Sequence, residues 1–368
     1  MKTYDKLFPK INNFDNLLKS ARLARKGKKM STEMARFHFN LENELLHLHE
    51  ELTLHTYQPG AYKTFQIYDP KERMISAAPY RDRVVHHALC QVIEPIFDRT
   101  FIYDTYANRL GKGTHQAIER YQYYAQRYPY VLKCDIRKFF ASIDHQILKE
   151  KLRWKIRCKD TLWLIDSIID ASNPQEPHLI YFPGDDLFSP QERKRGLPIG
   201  NLTSQFWGNV YLNRFDHFIK EELGVPGYIR YVDDFVLFAT SNEELREWKR
   251  VIKEKLAELR LVPHPGKTRI YQVKDGVPFL GFTVFPQYRY VRKQNSKRHF
   301  RHLRKMVLLK EAGKRSPQQL EDSLNSWLGH LRFGQSKRTE YKRFWYLRNH
   351  GVNLHVHPRG SWRVLEQQ

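Results

Sequence analysis

At 368 residues the chain can bury one large core and carry a smaller appendage, and a hydrophobic fraction of 41% excludes a disordered protein. Its 63 Lys and Arg against 40 Asp and Glu leave a net charge of +23, which calls for a polyanionic partner, nucleic acid before any other. The three cysteines, Cys90, Cys134 and Cys158, form no close pair, which argues against a disulfide framework or a zinc site. No stretch approaches the roughly 18 apolar residues of a membrane span, and no secretion signal is visible. A reducing, cytoplasmic location without membrane contact is therefore expected.

In chain order, residues 1–58 read as a helical N-terminal extension, with a basic stretch at Lys19–Lys29 and an amphipathic run at Phe39–Leu54. Pro59-Gly60 breaks the pattern and opens an alternating segment, Ala61–Tyr68, that predicts a strand. Val84–Phe97 returns to helical spacing. Asp82 and Arg83, just before it, are expected to be structural partners of one another.

Val131–Ile136 is a short apolar run and a candidate buried strand. Asn201–Leu223 reads as a helix stopped by Gly224 and Pro226. Tyr228–Val232 and Phe235–Ala239, separated only by Asp233-Asp234, read as a hairpin. Ser241 with Glu244 forms a capping-box pattern that opens a helix with Leu245, Trp248, Ile252, Leu256 and Leu259 on one face. Thr268–Val273 gives another strand. Strand, helix, strand, strand, helix, strand is the split β-α-β, or ferredoxin-like, order. It brings Asp135 and the Asp233-Asp234 pair to one sheet edge.

Beyond Phe285 the character changes: Arg289–Arg315 carries eleven Lys and Arg and one acid, Glu311. Residues 287–368 are expected to form a separate helical, basic domain that grips a phosphate backbone through Arg298, Arg301, Arg304 and Lys305, with His299 and His302 as further contacts.

Adjacent aspartates at a hairpin tip repel one another and add nothing to a core. They become favourable when a divalent cation lies between them and a third carboxylate, and magnesium prefers such hard oxygens. An Asp-Asp pair by itself is as well a turn feature. The apolar strands around it and the third aspartate shift the reading to chemistry.

Here the pattern becomes specific. Tyr231-Val232-Asp233-Asp234 resembles the YxDD box of reverse transcriptases, and Lys133–Phe140 resembles their first catalytic motif. The resemblance implies catalytic, metal-holding roles for Asp135, Asp233 and Asp234, with the backbone carbonyl of Ile136 as a further ligand. Two Mg²⁺ ions are expected, with Mn²⁺ as a substitute. It makes Phe140 a steric gate against a ribose 2′-hydroxyl, although Phe140 without the motif reads first as a core aromatic. Lys71–Arg83 is similar to the fingers segment of group II intron-like enzymes, which implies triphosphate contacts for Lys71 and Arg73. Ala107–Gln116 fits a following motif with Arg109 near the template. Lys267 matches a palm lysine that assists pyrophosphate departure, and Phe279-Leu280-Gly281 resembles the primer grip.

The implied fold is α+β, a right-hand polymerase with fingers, ferredoxin-like palm and helical thumb. Fingers and palm occupy 59–285, with the palm from about 128, and the thumb occupies 287–368. Ile199-Gly200-Asn201-Leu202-Thr203-Ser204-Gln205 narrows the subfamily. An aliphatic residue followed by GxxxSQ is characteristic of reverse transcriptases of diversity-generating retroelements in bacteria and phages. In that family a template-repeat RNA is copied into cDNA with errors opposite adenines. Ile199, Gly200 and Gln205 then belong to the nucleotide site, and Ile199 lacks the hydrogen-bonding capacity that a Gln there would have for discriminating nucleotides. The implied partners are template RNA, a DNA or RNA primer, the RNA–cDNA heteroduplex, dNTPs and a small accessory variability protein. The competing expectations are a defence-, retron- or CRISPR-associated reverse transcriptase and a non-catalytic RNA-binding scaffold.

Overall fold

The computed structural model describes residues 2–68, 72–172, 180–350, 352, 354–356 and 362–364. Helix and sheet are mixed, and the chain divides into two compact units. One comprises residues 1–112, 132–237 and 243–269; the other comprises 113–131, 238–242 and 270–368.

In the first unit, local sequence sets the helix starts. The Asn13 side chain accepts the N–H groups of Asp15 and Asn16 to open the helix Phe14–Arg25. Ser31 caps Thr32–Phe39 through Met34, and Asp144 caps His145–Arg153 through Ile147. The run expected at Phe39–Leu54 is divided at Asn40, so Leu41–Thr53 is a separate helix and the Phe39 ring lies in solvent. The helix Tyr80–Asp98 buries Val84, Val85, Ala88, Leu89, Ile93 and Phe97. Leu202–His217 is buried on nearly all sides, from Phe206 and Trp207 to Phe215 and Asp216, which marks a central element. It continues as a π-helical turn, Phe218–Glu222, before Gly224 takes a left-handed φ of 66°.

Strands are β1 (Lys63–Ile67), β2 (Arg73–Ala77), β3 (Tyr130–Asp135), β4 (Gly227–Tyr231), β5 (Asp234–Ala239) and β6 (Arg269–Gln272). The alternating segment at 61–68 pairs antiparallel with β2, with Ile67 opposite Arg73 and Lys63 opposite Ala77. The other four form one sheet in the order β4-β5-β3-β6. Strands of a split β-α-β unit take that order, so the expected topology is present.

The expected Asp82–Arg83 pairing is not. Neighbours on a helix do not face each other. Asp82 is buried and accepts from the Tyr57 hydroxyl and the Gly60 N–H, both at 2.8 Å, whereas Arg83 donates to the Ala78 carbonyl.

In the second unit, β7 (Val277–Phe279), β8 (Phe282–Val284) and β9 (Arg289–Val291) form an antiparallel meander. The helices Lys293–Glu311, Pro317–Phe333 and Lys337–Asn349 close on Leu303, Val307, Leu320, Leu324, Leu328 and Leu347. Ser316 and Gln319 complete a capping box on the middle helix. Helix Thr114–Ala125 belongs here too: Arg289 donates to Gln122 and to the Phe333 carbonyl, and His115 stacks on Phe333 at 3.7 Å. His299, expected to meet phosphate, stacks instead on Trp327 at 4.1 Å, and burial lowers its pKa to about 3. It is a neutral packing residue. Among the described residues no helix is long and apolar enough to cross a membrane.

Gly276 has φ 77°, and a β-carbon there would lie 2.3 Å from the Phe285 ring. Gly276→Ala should therefore destabilise the protein by about 1–3 kcal/mol, read by chemical denaturation.

Candidate active site

The apolar runs of β3 and β5 make them neighbouring strands, and Asp135 ends one while Asp234 begins the other. Only Val232 and Asp233 separate β4 from β5. The Ile136 N–H donates to the Asp233 carbonyl at 3.2 Å, which pins the hairpin tip beside the end of β3. On the other side of that end, the Asp135 carbonyl accepts the His264 N–H at 2.7 Å and the Arg137 N–H meets the Val262 carbonyl at 2.9 Å. The loop that follows carries Lys267. Asp135, Asp233, Asp234 and Lys267 are thus brought together from three separate stretches of chain.

Electrostatics organise the group. Lys267 Nζ lies 2.6 Å from Asp135 Oδ1, and Lys133 Nζ lies 3.0 Å from Asp234 Oδ2. Among the described residues Asp233 gains no such partner. Burial, then the charges of Asp135 and Asp234, raise its pKa to about 6. Burial also raises Asp234 despite Lys133.

A divalent cation suits this donor set. The ligands are hard carboxylate oxygens, and Asp234 Oδ1 is buried without a hydrogen-bond partner. Two of the three carboxylates face ammonium groups instead, and no group of three His, Cys, Asp or Glu side chains among the described residues stands ready to hold a metal ion. Binding a cation there means displacing or reorienting the lysines.

The tip itself is held from behind. Val232 has φ 58°, a left-handed conformation that a β-branched residue rarely adopts. Its carbonyl accepts from Arg230 Nη1 at 3.1 Å. Arg230 is fully buried and makes a bidentate pair with fully buried Asp216, Nε to Oδ1 at 2.7 Å and Nη2 to Oδ2 at 2.6 Å. Asn209 accepts from the same guanidinium, and the Tyr228 hydroxyl donates to Asp216 at 2.7 Å. The sequence reading overlooked this network. Its signal was present: an arginine inside the apolar run Tyr228–Val232 needs a buried counter-charge, and Asp216 is the one acid of the helix Leu202–His217.

The other expected site residues fall into separate places. Phe140 is half-buried, 5.3 Å from Phe139, and both rings crowd Gly208, where a β-carbon would lie 3.1 Å from Phe139 and 3.5 Å from Phe140. The Ile199 carbonyl accepts the Ser76 N–H, Gly200 has φ 115°, and Asn201 donates to the Tyr62 hydroxyl. The Ile199–Gln205 motif is therefore tied to the β1–β2 hairpin, where Arg73 is exposed. Gln205 is exposed in the first turn of Leu202–His217. Lys71 lies outside the described residues.

Arg109 points inward rather than toward a ligand: it pairs with Asp98 at 2.6 Å and donates to the Ile102, Thr105 and Asp98 carbonyls. In the second unit Phe279 is buried, and Leu280 and Gly281 (φ 43° and 91°) form the β7–β8 turn. Arg301, Arg304 and Lys305 are exposed on Lys293–Glu311, and Arg298 is partly exposed.

Comparison with known proteins gives one matching family model and several relatives. Residues 68–284 match the model of the reverse transcriptase (RNA-dependent DNA polymerase) domain. Protein YkfC of Escherichia coli K12 is 26% identical over 282 residues, which cover 65% of this chain and 70% of that protein. The putative COX1/OXI3 intron 2 protein of Saccharomyces cerevisiae is 22% identical over 41% of this chain and 16% of its own length. Nuclear intron maturase 1 of Arabidopsis thaliana is 26% identical over 26% of this chain and 13% of its own length.

Arg230→Met leaves Asp216 buried without its partner and should cost about 3–5 kcal/mol in chemical denaturation. Adding Asp216→Leu should recover most of that loss. For Asp233 the ordinary value is 3.8 and the folded value is about 6, so the folded state binds the proton more tightly. With a chelator present, stability should fall as pH rises from about 4 through about 6. Asp233→Asn should flatten that dependence.

Proposed function

The chain belongs to the reverse transcriptase family of RNA-directed DNA polymerases, and from that premise we propose that it extends a primer on an RNA template at the hairpin-tip carboxylates. The observation that carries this reading is the meeting of Asp135, Asp233 and Asp234 with Lys133 and Lys267 at one sheet edge. A binding scaffold has no use for carboxylates facing phosphate, and the cost of gathering them is offset when they hold cations.

In this reading Asp135, Asp233 and Asp234, with the Ile136 carbonyl, hold divalent ions, Mg²⁺ by expectation and Mn²⁺ as a substitute. Bound there, the ions supply charge neutralisation and activation of the primer 3′-oxygen. The remaining work belongs to side chains. Lys267, released from Asp135, meets the departing pyrophosphate, where a fixed positive charge offsets developing negative charge. Arg73 and Lys71 hold the triphosphate. The Phe140 ring, backed by Phe139 against Gly208, excludes a ribose 2′-hydroxyl. Ile199, Gly200 and Gln205 line the nucleotide, and Phe279-Leu280-Gly281 steadies the primer end. Residues from 1 to about 127 then serve as fingers, 128–285 as palm and 287–368 as a thumb whose Arg298, Arg301, Arg304 and Lys305 touch backbone phosphates.

We further propose that the template is a template-repeat RNA of a diversity-generating retroelement, copied with errors at adenines and with a small accessory protein as partner. The Ile199–Gln205 motif supports it, because an aliphatic side chain where the retroviral motif has Gln removes a polar reader from the nucleotide site. Intron-borne relatives favour a second reading, an intron-associated enzyme. The error spectrum of the cDNA separates them, since adenine-biased errors go with the retroelement and uniform errors with the alternative.

Asp233→Ala should reduce primer extension to background while leaving the circular dichroism spectrum unchanged; extension at the wild-type rate would sink the assignment. Phe140→Ala should raise ribonucleotide incorporation relative to deoxynucleotide by roughly 10- to 100-fold in single-nucleotide addition assays.

A further inference from the structure

The helices Lys293–Glu311 and Lys337–Asn349 leave between them a groove of about 830 Å³, of whose lining only Arg304 has a role above. Its floor is Phe300 against Tyr346, ring centroids 4.9 Å apart. Arg343 lies over Phe300 at 3.9 Å and is fixed by donating to Ser296, and Arg304 lies over the same ring at 4.7 Å. Its rim is unusual. Tyr341 is 73% exposed and Trp345 68% exposed, two large rings four residues apart on one helix face. Arg338 and Lys342 interleave with them, and neither has a carboxylate partner among the described residues. Among the described residues the lining contains no acid, and the nearby Glu340 is held by Arg332 at 2.8 Å.

Exposed aromatic rings in an uncovered groove are costly in water and gain when a flat apolar surface covers them. A described lining whose charges are all positive demands that the covering molecule be anionic. A nucleobase on its phosphate backbone answers both requirements, and an apolar protein face answers only the first. The spacing selects the strand type. Residues four apart on a helix are separated by about 6 Å along its axis. The step along one strand of a duplex is only about 3.4 Å, so successive stacked bases cannot each meet a ring. An extended single strand can.

We propose that this groove binds single-stranded RNA, with Tyr341 and Trp345 stacking two bases and Arg338, Lys342 and Arg304 neutralising the phosphates between them. The site would hold template that is not yet paired or RNA flanking it. The proposal rests on the polymerase reading only in choosing RNA as the ligand, and binding is measured without catalysis.

The test is fluorescence anisotropy of the full chain with a short labelled single-stranded RNA, and with the same RNA annealed to its complement. Trp345→Ala and Tyr341→Ala should each weaken single-strand binding about tenfold and leave duplex binding unchanged. Trp345→Phe should restore most of the affinity, and Lys342→Gln should lower the salt dependence of binding by about one counterion. Both rings are exposed, so the thermal midpoint should not move. Unchanged single-strand affinity in the Tyr341→Ala/Trp345→Ala double variant overturns the proposal. Unchanged RNA affinity together with a change in oligomeric state would assign the groove to a protein contact instead. Wild-type primer extension is a separate readout: its absence would remove the polymerase reading and leave the strand-binding result standing.

Discussion

Arg230 has no exposed surface, and the tip of the β4–β5 hairpin is shaped by what that guanidinium bonds. Its Nε and Nη2 face Asp216, and its Nη1 donates to the Val232 carbonyl, which fixes the strained backbone there. A buried pair of this kind contributes little net stability compared with apolar packing, but losing one partner is expensive. It therefore specifies one arrangement instead of merely strengthening the fold. Here the arrangement is a left-handed valine, and the two residues after it are Asp233 and Asp234. The central helix supplies both Asp216 and Asn209, so the same element that fills the core also sets the carboxylates.

The front of the hairpin follows a different rule. Three carboxylates at one strand edge repel, and burial worsens the repulsion by penalising every charged form. Lys133 and Lys267 relieve two of the three, and Asp233 carries the remainder as a raised pKa. A cluster in that condition has a strong appetite for further positive charge. Lysines on long flexible stems can yield to a harder, more concentrated cation and remain near the phosphates that arrive with it. The buried network behind the tip would keep the carboxylates in position through such an exchange.

The central hairpin and its sheet were legible from sequence because apolar runs flank Asp233-Asp234 so closely that little but a tight turn fits. The helix Leu202–His217 and the strand beginning near Ala61 were legible for similar reasons of patterning. Arg230 was not assigned, because its counter-charge lies 14 residues back across a π-helical turn and a glycine. Strand β2 carries no alternation and exists through its pairing with β1. His299 looked like part of a basic surface, and only the tertiary stack on Trp327 shows it to be neutral packing. Arg109 likewise looked available and is consumed by its own loop. Charged residues are read poorly from sequence whenever their partners are distant.

The carboxylates at this hairpin tip are proposed to hold divalent ions for nucleotide addition. Electron paramagnetic resonance of Mn²⁺ titrated into the full chain with a primer annealed to an RNA template tests it most directly. The wild type should bind Mn²⁺ saturably, and Asp234→Asn should lose that binding while the fold and the primer–template affinity are retained. Equal Mn²⁺ binding by Asp234→Asn and wild type would contradict it.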